Sequence, residues 1–141
     1  MASSARTRVL LVDANVALRE IVAELLADEP DFAVAGCAGS AEQGLAALAA
    51  GGVDLVLISD HLPDVAGSAA LPRVREAHPD VLTALWTSAP AAPLADVCVH
   101  RGSTYRDLVS ALRRAVRSAR RVIELDVRPE VPSTSPAPLS G

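Results

Sequence analysis

The side chains able to act on another molecule fall at the ends of apolar runs. Asp13 closes the run 8–12, Ser59 and Asp60 close 54–58, Thr87 and Ser88 close 81–86, and Arg101 follows 96–100. In an open parallel sheet, binding and catalysis concentrate in the loops beyond the carboxyl ends of the strands, so these positions are expected to converge. A carboxylate, several hydroxyls and a guanidinium could order an anion or pair with one another. They are poorly suited to two other tasks. Mg²⁺ demands near-octahedral oxygen ligation, usually from one or two carboxylates plus substrate phosphates. Asp13 alone, with Ala14 beside it and the hydroxyl of Ser59 opposite, supplies little of that negative charge. A serine hydroxyl is a weak nucleophile unless a neighbouring base activates it, and no base has a fixed place near Ser59. His61, His78 and His100 share no ligand spacing on one element, so no metal, cofactor or catalytic residue is expected. Strand alternation turns Asp60 away from the face of Ser59 unless the strand frays. For Arg101, an ion pair with Asp13 or Asp60 is favoured over anion sensing.

The elements that position these residues follow from periodicity. Arg8 to Val12 form a short buried strand, followed by a helix whose apolar face comprises Val16, Ile21, Val22, Leu25 and Leu26, with Arg19, Glu20 and Glu24 off it. A second strand covers 32–37. Ser40 and Gln43 have the spacing of a capping box for a second helix that ends at Gly51-Gly52. The unbroken run 54–58 is a strand buried on both faces, and strand three organises the core. Gly67-Ser68 caps a third helix with Leu71 and Val74 inward and Pro72 near its first turn. Strand four is 81–86 and strand five 96–100. The segment 89–95, with two prolines, is too short for a stable helix. The last helix, capped by Ser103 or Thr104, carries Leu108, Leu112, Val116, Ala119 and Ile123 on one side and Arg113, Arg117, Arg120 and Arg121 on another. Five βα units with short connections imply a parallel sheet flanked by helices on both faces with right-handed crossovers.

Composition sets the outer bounds. The 141 residues make one domain, about 68–70% of whose unfolded surface can be buried. Half the residues are apolar, yet there is one Phe, one Trp and one Tyr, so Ala, Val and Leu must do the packing. The modest net charge of −4 argues against nucleic-acid binding by the bulk of the fold. Charge is uneven, acidic over the first hundred residues and basic after them. Cys37 and Cys98 are expected to be buried, reduced thiols. No apolar run reaches membrane-spanning length, and the protein is expected to be soluble and cytoplasmic. Residues 125–141 are rich in Pro and Ser and read as a linker or disordered tail after a domain at 6–124.

Over residues 6–124 the chain resembles the receiver domain (CheY-like) of two-component response regulators, of the LuxR/NarL type. The resemblance is carried by Val9-Leu10-Leu11-Val12-Asp13, by Asp54-Leu55-Val56-Leu57-Ile58, by Pro63 and Gly67, by Thr87 and by the basic Arg101. It implies a flavodoxin-like (βα)5 three-layer α/β sandwich with sheet order 2-1-3-4-5. In such receivers an Asp at the end of strand three accepts a phosphoryl group, Mg²⁺ is held by it and an acidic pair after strand one, and a Thr or Ser and a Lys read the phosphate. Counting back from Pro63 and from Gly67 places Ser59 at the acceptor position. The second member of the acidic pair is Ala14, the Lys position is Arg101, and the helix between strands four and five is shortened or absent. Asp13, Ala14, Ser59, Asp60, Thr87, Ser88 and Arg101 thus form a vestigial phosphoacceptor pocket.

The expectation is a pseudo-receiver: a non-enzymatic, phosphorylation-independent regulatory module acting by homodimerisation or by binding a partner regulator, and controlling transcription. The arginine face of the last helix reads either as a solvated surface or as a dimer or partner surface in which Arg113, Arg117 and Arg120 meet Glu20 and Glu24 of helix one. DNA would be contacted only through an output domain, whose usual junction Pro138-Leu139-Ser140 resembles. An alternative is a ligand-sensing pseudo-receiver that binds a small molecule or anion in the altered pocket, against which the scarcity of aromatic lining counts. An unrelated flavodoxin-like enzyme is weaker still, since no Gly-rich phosphate loop is present.

Overall fold

The computed structural model describes residues 6–88 and 95–127, the last seven through their backbone alone. In chain order the elements are β1 (Thr7–Val12), α1 (Val16–Ala27), β2 (Phe32–Ala38), α2 (Ala41–Ala49), β3 (Leu55–Ser59), α3 (Gly67–Ala77), β4 (Leu82–Thr87), β5 (Val97–His100) and α4 (Tyr105–Val127). All strand pairings are parallel, in the order β2-β1-β3-β4-β5, so the flavodoxin-like order that the resemblance implies is the one observed. The shortened or absent helix expected between strands four and five falls on 89–94, outside the described residues. So does the tail beyond 127, and α4 itself runs on to Val127.

Two apolar layers hold the sheet. Leu11, Leu57 and Trp86 point to one side, where they pack with Val22 and Leu26 of α1 and with Leu108 and Leu112 of α4. Leu10, Val12, Val56, Ile58 and Leu85 point to the other, against Ala41 and Leu48 of α2 and Leu71 and Val74 of α3. Every residue of β3 is buried, because it is central in the sheet and covered on both faces.

Several local expectations are corrected. On α1 only Val22 and Leu26 are buried, while Val16, Ile21 and Leu25 are exposed. At about 100° per residue, Ile21 and Leu25 lie one step round from Val22 and Leu26, and the sheet accepts only the narrower stripe. Pro72 sits well inside α3 rather than in its first turn. The Ser40 hydroxyl accepts from the Gln43 amide as expected (3.1 Å), but the Gln43 side chain reaches the amide of Gly39, one residue before the cap. Cys37 is exposed on the outer strand β2, and Cys98 is half-buried; no disulfide joins the two. Gly51 and Gly52 take φ of 88° and 81°, the left-handed conformation that ends α2 without a Cβ penalty.

β5 brings Arg101 to the site, and a buried polar contact fixes its start. Thr83, wholly buried on β4, donates its amide to Asp96 Oδ2 (2.8 Å), and its hydroxyl accepts from the Asp96 amide (2.9 Å). Arg75 of α3 lies 3.7 Å from the same carboxylate. These contacts set the register that pairs Thr87 with His100, which leaves Arg101 just beyond the sheet.

Candidate functional site

At the carboxyl end of the sheet, Arg101 crosses from beyond β5 toward β3 and β1. Its Nη1 donates to Ser59 Oγ at 2.7 Å and to Asp13 Oδ2 at 3.3 Å. The guanidinium carbon lies 4.8 Å from the centre of the Trp86 ring, and this stacking adds a cation–π attraction. Register makes the stack possible, because Trp86 is paired with Ser59 across β3 and β4. Asp13 is 4% exposed. Its other oxygen accepts the Asn15 amide (2.8 Å), and its backbone carbonyl accepts from Arg19 (2.7 Å). Asn15 in turn caps α1 through the Leu18 amide. The turn after β1 therefore holds the carboxylate rigidly against the guanidinium.

Ser59 is fully buried. Its oxygen accepts from Arg101 and also from the His61 amide at 3.0 Å. A hydroxyl oxygen has two lone pairs, and here both face donors, one of them cationic. That arrangement opposes nucleophilic attack. The residues do not fit a divalent cation either. Asp13 faces a cation already, Ala14 contributes no oxygen, and among the described residues no three acidic, His or Cys side chains gather where an ion could be held. Beside Asp13, on the α1 side of the sheet, lies a cavity of about 10 Å³ lined by Asp13, Arg19, Val22, Leu57 and Trp86 among others, about what one water molecule requires.

Asp60 belongs to a second, separate set of bonds. β3 ends at Ser59, so Asp60 escapes strand alternation. Its Oδ2 accepts the Thr87 hydroxyl at 2.6 Å, and its Oδ1 accepts the Ser68 amide at 2.9 Å. The short contact to Thr87 is in the range of a charge-assisted bond. Burial pushes the Asp60 carboxyl up, but the Thr87 hydroxyl and the Ser68 amide outweigh it and hold the group below its ordinary value. Asp60 is thus the N-terminal cap of α3, the role expected of Gly67-Ser68, since Ala66 has no capping side chain. No hydrogen bond or ion pair joins Asp60 to Arg101 among the described residues. Ala14 and Ser88 are exposed at the rim of the site.

A third loop carboxylate, Asp64, accepts the amides of Ala41 (3.0 Å) and Glu42 (2.9 Å) at the start of α2. These two amides hold its carboxyl below the ordinary value. The loop after β3 is therefore tied at Asp60 to α3 and at Asp64 to α2. Its last residue, Gly67, lies so close to strand three that a Cβ would come within 2.2 Å of the Ser59 carbonyl oxygen.

The structure thus brings Asp13, Ser59 and Arg101 into one group and Asp60 and Thr87 into another. Trp86 and Arg19 are part of the site and were not among the residues singled out from the sequence. The available signal was positional, since Trp86 directly precedes Thr87 at the end of a strand. On the helical side, Arg113 pairs within the chain, to Glu29 Oε1 at 2.6 Å and to both oxygens of Asp31 at 2.8 and 2.9 Å. Arg117, Arg120, Glu20 and Glu24 are all exposed, and none forms an ion pair among the described residues.

A family profile described as the response regulator receiver domain matches residues 9–105. Among solved structures, a CheY-like response regulator receiver domain protein from Methanospirillum hungatei JF-1 is similar at 21% identity. It covers 84% of this chain and 99% of its own, with a TM-score of 0.74. The signal receiver domain of an HD domain-containing protein from Pseudomonas fluorescens Pf-5 is 27% identical over 84% of this chain and 93% of its own, with a TM-score of 0.73. A two-component response regulator of the LuxR family from Aurantimonas sp. SI85-9A1 is 21% identical over 88% and 100%, with a TM-score of 0.73. No curated protein matches the chain.

Proposed function

This chain belongs to the response regulator receiver domain family, and from that premise we propose that it is a phosphorylation-independent receiver. In this reading it is a non-enzymatic module that regulates by protein contact, with a second copy or a partner regulator, and bears on transcription through an output domain. The observation that carries the reading is the Arg101 guanidinium, bonded to Ser59 Oγ at 2.7 Å and to Asp13 at 3.3 Å. The cation stands where an acceptor carboxylate and a metal would have to meet. A pocket closed by its own side chains has no phosphoryl state to read, so its surface must work in the unmodified form. The likeness to a LuxR-family regulator supports the link to transcription.

Sensing of a small ligand in the same pocket has less support, because Asp13, Ser59 and Arg101 already satisfy one another there and a single aromatic ring, that of Trp86, lies against them. Incubation with acetyl phosphate and Mg²⁺, followed by intact-mass measurement, tests the proposal. The mass is expected to stay unchanged. A stable gain of about 80 Da, the mass of one phosphoryl group, on Asp60 or Asp13 overturns it.

A further inference from the structure

Trp86, the last residue but one of β4, is 9% exposed, and the face and the edge of its ring are treated differently. The face receives the Arg101 guanidinium, 4.8 Å from the ring centre. The edge carries the Nε1–H, a donor in the plane of the ring that a cation stacked on the face cannot satisfy. That donor is buried and has no acceptor among the described residues, where every other buried side-chain nitrogen or oxygen has a partner. A buried donor in this state is costly and rare in a native fold. Space for an acceptor lies beside the residue. The cavity of about 10 Å³ on the α1 side of the sheet is lined by Trp86, Asp13 and Arg19, with Val22 and Leu57 among its apolar walls. Its size is that of one water molecule, and its three polar side chains match the number of partners a buried water typically has.

We propose that this cavity is a binding site for a single structural water, which accepts from Trp86 Nε1–H and donates to the Asp13 carboxylate. The carboxylate has the capacity for it. Its Oδ1 accepts the Asn15 amide and its Oδ2 accepts Arg101 Nη1, whereas an ionised carboxylate offers about four lone-pair positions. Arg19 gives one of its N–H groups to the Asp13 carbonyl at 2.7 Å, and a guanidinium has five, so a second can donate to the water. A cavity walled by apolar groups alone stays dry, but one with a carboxylate, a guanidinium and an indole N–H on its walls holds water. Anything larger is excluded by the volume. The water joins elements that the sheet ladder does not, because β3 separates β1 from β4. Through it the turn after β1, the first turns of α1 and the end of β4 share one network, and Asp13 gains a further donor besides Asn15 and Arg101.

The chain has one tryptophan, so its indole proton gives a single, unassailable NMR signal. In solvent-selective NOE and ROE spectra of the wild type, that proton should show cross-peaks to water of opposite sign in the two experiments, the mark of a water held far longer than one at the surface. A high-resolution crystal structure should show one ordered water within about 3.2 Å of both Nε1 and an Asp13 oxygen. Val22→Ile, which adds a methylene to an apolar wall of the cavity, should expel the water and abolish both cross-peaks. It should also lower the thermal midpoint by a few degrees, because the indole N–H is stranded. A dry cavity would respond in the opposite sense, since filling it adds contacts and raises the midpoint. An indole proton without a water cross-peak, a cavity empty in the crystal, an Nε1 bonded directly to a protein oxygen, or a raised midpoint in Val22→Ile overturns the assignment. The two wild-type measurements decide it even if the variant does not fold.

Discussion

At the scale of the residue, Arg101 decides what the site is. Its side chain is 21% exposed and faces a carboxylate that is 5% exposed, so the pair is neither a solvated surface bridge nor a fully desolvated one. Removing one partner of a buried pair is costly because the other charge is left without compensation. Arg101→Met should therefore lose about 2–4 kcal/mol in urea unfolding at neutral pH. Asp13→Asn should relieve part of that loss, so the double variant should be more stable than the sum of the two single losses predicts. A coupling below about 0.5 kcal/mol would show that Arg101 is held by the Trp86 stack and Ser59 rather than by Asp13. The identity of the residue was legible in the sequence, but its destination was not. Ion pairs to Asp13 and to Asp60 were equally consistent with it, and the choice depended on Trp86, which stacks the guanidinium over the end of β4.

At the scale of the element, the loop between β3 and α3 does more than connect. It lends Asp60 to the start of α3 and Asp64 to the start of α2, so two helix N-termini are satisfied by carboxylates from outside the helices themselves. Gly67 is the point where this loop folds back on strand three. Gly67→Ala would drive a methyl group into backbone at 2.2 Å from the Ser59 carbonyl oxygen, and backbone cannot step aside as a flexible side chain can. A loss of at least about 2 kcal/mol is expected in thermal or chemical unfolding, toward the upper part of the range for overpacked cores. A near-neutral result would mean that the loop can lift off β3. These elements also show what sequence reasoning can reach. The Ser40 cap, the β3 run and the Gly51-Gly52 stop are local, and all three were legible. The caps from Asp60 and Asp64 span 8 and 23 residues, and propensity carries no signal at that range. The same limit misplaced Ile21 and Leu25, since periodicity shows that a helix is amphipathic but not how wide a stripe its neighbours will cover.

At the scale of the whole molecule, the two layers must be locked at their margins as well as at their cores. One lock is the corner where the end of α1 and the start of β2 meet α4. There Arg113 grips Glu29 and Asp31, and lies 5.8 Å from the centre of the Phe32 ring, while the Tyr105 hydroxyl reaches Glu29 at 3.4 Å. Burial, then the charge of Glu29 and its hydrogen bond, push the Tyr105 phenol up to about 12, with Arg113 pulling the other way. A free phenol titrates near pH 10, so the native state retains its proton where the unfolded chain releases it. The stability from this corner is accordingly complete below about pH 10 and is lost as the pH climbs toward 12. The chain has a single tyrosine, so phenolate absorbance reads this corner without ambiguity. In the native protein, ionisation should be displaced to near pH 12, and Glu29→Gln should bring it back toward 10 by removing the opposing charge. Titration of the wild type at the ordinary value would mean that the corner is open and that α4 is held to the sheet by its apolar face alone.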